Sequence, residues 1–165
     1  MQIRVTDKFR KSLGIKPGEL HEVKDDDSPM GCWYGNLFFS DGKKALFFVN
    51  ENSLFTFILA GFTRRKLDNL PELFKCGLAQ ALEVNGFSAS EVEYLTQGTE
   101  VVVFTKTANR SVIGSMNDLQ SLFMSFHDKA DAEFKHVLQK INRVPHIKRK
   151  HAYAVDAVRE MAAQR

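Results

Sequence analysis

Fourteen consecutive residues combine the side-chain types that suit anion binding in this 165-residue chain: Thr105-Lys106-Thr107-Ala108-Asn109-Arg110-Ser111-Val112-Ile113-Gly114-Ser115-Met116-Asn117-Asp118. Two cations, several hydroxyls, two amides and a glycine stand here between a β-branched run and an amphipathic one. Lys106 and Arg110 offer charge-assisted donors to a phosphate or a carboxylate. Ser115, three residues before Asp118, is spaced to cap a helix, and the free backbone N–H groups of a helix start attract anions. The candidate ligand-binding set is therefore Lys106, Thr107, Asn109, Arg110, Ser111, Ser115, Asn117 and Asp118. The same residue types also suit a capped tight turn with solvated cations, and spacing alone leaves both readings open. The glycine-rich spacing and terminal Gly-Lys-Ser/Thr of a Walker A loop are absent.

A second cluster follows Pro145: His146, Lys148, Arg149, Lys150 and His151. Pro145 ends the preceding helical pattern, so Lys148, Arg149 and Lys150 form a candidate basic patch on a connector or a helix start. Cations there oppose the dipole of a following helix, which points to an acidic partner or nucleic acid, the other reading being an exposed solubilising corner. Other chemistries find no support. The chain has no Gly-x-Ser-x-Gly elbow and no His-Glu-x-x-His pair. Cys32 and Cys76 stand alone in apolar surroundings and read as reduced core residues, so no zinc site and no other metal site is expected. His127 beside Asp128 reads as a surface ion pair.

The elements that must position these residues are those of an ordinary globular chain. Hydrophobic residues make up 44% and charged residues 26%, with 23 Lys and Arg against 20 Asp and Glu, so the net charge is +3. That balance argues against disorder and does not make nucleic-acid binding the default. No apolar run is long enough to span a membrane and the N-terminus lacks signal-peptide architecture, so a cytoplasmic location is expected.

Residues 2 to 6 alternate as a strand. Thr6 and Gly14 bracket a helix over Asp7 to Leu13, and residues 15 to 31 read as a surface loop. Asp41-Gly42 between two apolar runs predicts a hairpin, and a third strand over Leu54 to Ala60 completes a meander. Phe occupies both parities there (Phe38 and Phe39, Phe47 and Phe48, Phe55 and Phe57). Both faces of the sheet must therefore be covered, by helices or by a second subunit. Helices are predicted over 70 to 85, from Ser88 to Tyr94 or Leu95, and three times after residue 115. Thr99 to Thr105 reads as the last strand. The expected fold is α+β: a mostly antiparallel sheet of about five strands with helices on its faces. Residues 1–145 form the domain and 146–165 a helical tail packed on it or extending from it.

Several segments also match a pattern seen elsewhere: Ile3-Arg4-Val5-Thr6, Gly14-Ile15, Asn36-Leu37-Phe38 and Leu46-Phe47-Phe48-Val49-Asn50. The most specific is Thr105-Lys106-Thr107 with Arg110-Ser111-Val112 and Gly114 to Asp118. Through these the chain resembles a family of uncharacterised bacterial proteins, a domain of unknown function, over roughly residues 2 to 145. The resemblance implies no activity and no cofactor. It does imply a tail particular to this protein and an origin in a mobile element, since similar proteins travel in integron gene cassettes.

The residues favour a non-catalytic binding module for a phosphate-bearing small molecule or nucleic acid. One alternative is a small enzyme acting on a nucleotide or other phosphate-containing substrate. There Lys106 and Arg110 would stabilise charge, with Asn117 or Asp118 orienting groups or moving a proton. Another is a protein-interaction subunit, such as a homodimer, using the Phe-rich sheet.

Overall fold

The computed structural model describes residues 1–40, 42–128, 134–147 and 149–165. Five strands, β1 (Gln2–Val5), β2 (Trp33–Ser40), β3 (Lys43–Asn50), β4 (Thr56–Ala60) and β5 (Val103–Lys106), form one sheet in the order β4-β3-β2-β1-β5. The meander is antiparallel, with Ser40 opposite Lys43 across the predicted Asp41-Gly42 turn, of which Asp41 lies outside the described residues.

The sheet as a whole is mixed rather than mostly antiparallel, because β1 runs parallel to both β2 and β5. Parallel neighbours need a crossover, and the chain supplies one on each side. Helix α1 (Asp7–Leu13) and the long loop lie between β1 and β2. The meander, α2 (Leu70–Val84) and α3 (Ala89–Leu95) precede β5. Strand β5 is also shorter than predicted. Its ladder is with β1, from Gln2 opposite Val103 to Val5 opposite Lys106, and on its other side a single parallel bridge joins Thr105 to His21.

Local signals set the helix ends. Thr6 caps α1 by accepting from Phe9 N, and Gly14 closes it at φ 75°. Ser88 and Glu91 form a reciprocal capping box on α3. Residues 15–31 are anchored rather than free. His21 N donates to Phe104 O, and Lys24 N donates to Gln2 Oε1. Asp26 accepts from Gln2 N at 2.5 Å and from Ser28 Oγ at 2.6 Å. Burial would push the Asp26 carboxyl up, but these bonds hold it below its usual range. The loop thus blunts the open edge of β5.

Two cores flank the sheet. On one side Trp33, Phe48, Phe57 and Phe74 meet edge to face or stacked, and α1, α2, α3 and α6 (Ala154–Ala162) cover them. On the other side Phe38, Phe47 and Phe123 pack beneath α4 (Arg110–Asp128) and α5 (Phe134–Ile141). Phe38, Phe47, Phe48, Phe55 and Phe57 are therefore buried within the one chain. Phe39 departs from the expectation at 50% exposure, its ring lying under Lys8 Nζ at 5.6 Å. Cys76 also departs. It sits on the solvent side of α2, whereas Cys32 is buried. The closing helix α6 buries Ala154, Val155, Val158 and Ala162 in the first core, so this segment is part of the packing. Among the described residues, no helix is long and apolar enough to cross a membrane.

Candidate functional site

Strand β5 carries Thr105 into the interior and leaves Lys106 exposed at its end, with Thr107 half-buried beyond it. Helix α4 then starts at Arg110. Its cap is Asn109, not Ser115: Asn109 Oδ1 accepts from Ser111 N at 2.9 Å and Val112 N at 3.4 Å. Ser115 lies inside the helix, half-buried. An Asx side chain can reach the N–H groups two and three residues on, so Asn109, directly before the helix start, takes the role.

The backbone N–H groups just before the helix are also occupied. Tyr34 Oη accepts from Ala108 N at 3.3 Å and Asn109 N at 2.8 Å. The expectation of free N–H groups inviting an anion is thus corrected, since Asn109 and Tyr34 already hold these four. An anion here would therefore be held chiefly by side chains.

Beneath the helix start lies a buried polar knot that the sequence did not reveal. Arg4 Nη1 donates to Tyr34 Oη at 3.1 Å and to Glu51 Oε1 at 2.5 Å. Its Nη2 approaches Cys32 Sγ at 3.7 Å, and the guanidinium lies 5.6 Å from the Tyr34 ring centre. Burial works against the charge on Arg4, but the Tyr34 bond and the Glu51 carboxylate outweigh it and raise its pKa further. Burial pushes the Cys32 thiol up despite Arg4, so it is a poor nucleophile. Arg4 Nε and Thr105 Oγ1 are buried with no hydrogen-bond partner. Arg4 sits at the opposite parity to Ile3 and Val5, which on an open sheet would mean solvent. Here a helix covers that face too.

The remaining candidates divide by face. At 100° per residue, Arg110, Ser111, Gly114, Asn117, Asp118 and Ser121 fall on the outward side of α4, and all are exposed. Val112, Met116, Leu119 and Phe123 fall on the inward side and are buried. No hydrogen bond or ion pair among the described residues engages the Lys106, Arg110 or Asp118 side chains. Arg110 and Asp118 are eight residues apart, roughly 12 Å along the axis at 1.5 Å per residue. Gly114 stands between them. A Cβ added there would meet no atom within 4 Å, and its φ is not positive, so neither crowding nor backbone conformation demands glycine.

The second cluster resolves differently. Lys148 lies outside the described residues. Arg149 Nη1 donates to the backbone carbonyls of Glu51 at 3.2 Å and Asn52 at 3.4 Å. Lys150 pairs with Glu160 at 2.6 Å, and His151 bonds the other oxygen of the same carboxylate. Those two partners hold the Glu160 carboxyl below its usual value. The cluster precedes α6 as a connector, and its described cations are already engaged. No group of three or more His, Cys, Asp or Glu among the described residues is placed to hold a metal ion.

A family model described as a domain of unknown function, DUF6933, matches residues 2–157, nearly the whole chain, and the chain belongs to that family. A search of the curated proteins found no match.

Proposed function

We propose that this chain is a non-catalytic binding module whose outward face of α4 holds a phosphate-bearing ligand. Lys106 and Arg110 supply the charge, while Ser111 and Asn117 supply neutral donors. Thr107 and Asn109 shape the approach from the strand side. Gly114 is the observation that carries the reading. A glycine inside a helix costs about 0.5–1 kcal/mol against alanine. Nothing among the described residues requires it. Its bare backbone is best explained by a ligand that approaches the helix closely, with cation and donors on either side.

An outward helix face fits a ligand laid across it, so a nucleic-acid backbone suits it better than a small molecule that needs enclosure. The enzyme alternative receives less support. Arg110 and Asp118 stand too far apart along α4 to act on one reacting group, and the Cys32 thiol is buried and held neutral. A cytoplasmic setting belongs to the same proposal, and so does carriage on a mobile gene cassette, which rests on the family resemblance. The test is binding of a labelled single-stranded oligonucleotide followed by fluorescence anisotropy across a salt series. Arg110→Ala should weaken binding and flatten the salt dependence by somewhat less than one unit of slope per lost phosphate contact, about 0.7–0.9. Binding identical to the parent at low salt would refute the assignment.

A further inference from the structure

A second set of cations lies away from the α4 face, in a surface cavity of about 460 Å³ lined by Arg143, Tyr153, Val155, Asp156 and Arg159. That volume falls within the roughly 300–1,000 Å³ of small-molecule sites. Both arginines are held in place by neutral groups. Arg143 Nη1 donates to Asn85 Oδ1 at 3.2 Å. Asn85 is itself buried, and its amide is fixed because Nδ2 donates to Ala81 O at 2.8 Å. The Arg159 guanidinium lies 5.1 Å from the centre of the buried Phe87 ring. Among the described residues, neither arginine forms an ion pair, with Asp156 or with any other acid.

Two guanidinium groups oriented by an amide and a ring, and directly paired with no carboxylate among the described residues, keep donors open to the cavity, although Asp156 lines the same cavity and the Glu91 carboxylate feels the charge of Arg159. Such a pair suits an oxyanion that accepts several hydrogen bonds at once. The rest of the cavity is not built for a bare ion. Tyr153 is 41% exposed, and Val155 is buried beside it. Together they give an aromatic and apolar wall on which a planar ring can stack. The single carboxylate, Asp156, is an acceptor for a hydroxyl or amino group away from the anion.

The geometry points to a mononucleotide site. The phosphate rests between Arg143 and Arg159, the base stacks on Tyr153, and Asp156 accepts from the sugar or the base. This site shares no residue with the α4 face and stands whether or not that face binds a polyanion.

Isothermal titration of the full chain with adenosine 5′-monophosphate, adenosine and inorganic phosphate separates the parts. The nucleotide should bind at least about tenfold more tightly than either fragment. Arg143→Gln and Arg159→Gln should each weaken it by about tenfold, a loss of one guanidinium–phosphate interaction. Tyr153→Ala should weaken the nucleotide while leaving inorganic phosphate unchanged. Arg110→Ala should leave nucleotide binding as it is. Both arginines are exposed, so folding of the variants is not at stake, and their melting temperatures check this. The proposal is overturned if the nucleotide fails to bind at millimolar concentration, or binds no better than phosphate. It is equally overturned if the arginine variants bind as the parent does, or if Arg110→Ala abolishes binding in their place.

Discussion

The start of α4 has an inner and an outer side, and polar residues serve opposite ends on the two. Inside, Tyr34 Oη gathers Ala108 N, Asn109 N and Arg4 Nη1, and Arg4 passes on to Glu51. Outside, Arg110, Asn117 and Asp118 are exposed, and Gly114 gives up helix stability for no internal return. A buried donor left unpaired is costly, so the inner groups are committed to the fold. The outer groups are uncommitted, and an uncommitted cation beside an unneeded glycine is where a ligand is best sought. Polar residue types alone do not tell a site from a support. The face does.

The largest expected effect is on the inner side. Tyr34→Phe removes one oxygen and leaves two backbone N–H groups without their acceptor, while Arg4 keeps Glu51 and the weaker Cys32 contact. Chemical denaturation should show a loss of about 2–4 kcal/mol, and the melting temperature should fall by roughly 5–15 °C. A loss within experimental error would break the comparison, since the knot would then hold nothing.

On the outer side the sign reverses. Gly114→Ala should raise stability by about 0.5–1 kcal/mol and at the same time weaken oligonucleotide binding. A stabilised protein that binds unchanged would remove the main support for the α4 face. This variant separates a ligand-driven glycine from a merely tolerated one.

A smaller effect belongs to the connector before α6. Burial first, and then the nearby Arg149, hold the His146 imidazole below its ordinary pKa. The unfolded chain therefore binds a proton at higher pH than the folded one. Stability from this residue is complete above the ordinary histidine value and declines as pH falls through it toward the lower folded value. His146→Gln should flatten that part of the stability–pH curve. An unchanged slope would assign the pH dependence to another group. The smallest effect on stability is that of Arg110→Ala, within about 0.5 kcal/mol, because its side chain has no partner among the described residues.

Much of the fold was legible because its signals are local. Thr6 and Gly14, Ser88 and Glu91, and the Asp41-Gly42 turn each act within a few residues of themselves. The directions of β1 and β5 were not legible, since they depend on crossovers whose path no short spacing records. The candidate site was half legible. Lys106 and Arg110 stand out by type, but that Asn109 rather than the predicted Ser115 is the cap needed the helix start. The role of Arg4 needed Tyr34, thirty positions away, and Tyr34 meets the junction across seventy-four. Alternation gives Arg4 the opposite parity to Ile3 and Val5, which is the solvent side of a sheet with one wet face, but this sheet has no wet face over that strand pair. Gly114 passed as one more turn residue until α4 was seen to run through it.

The central claim, that the outward face of α4 holds a phosphate-bearing chain, is tested most directly by amide chemical-shift mapping. A short single-stranded oligonucleotide is titrated into the protein at low salt. The account expects concentration-dependent shifts concentrated at Lys106, Arg110, Ser111, Gly114 and Asn117, reversed by added salt, with the Ala108 and Asn109 amides less affected because Tyr34 holds them. An oligonucleotide that shifts none of the α4 amides, or shifts only residues elsewhere in the chain, would contradict it.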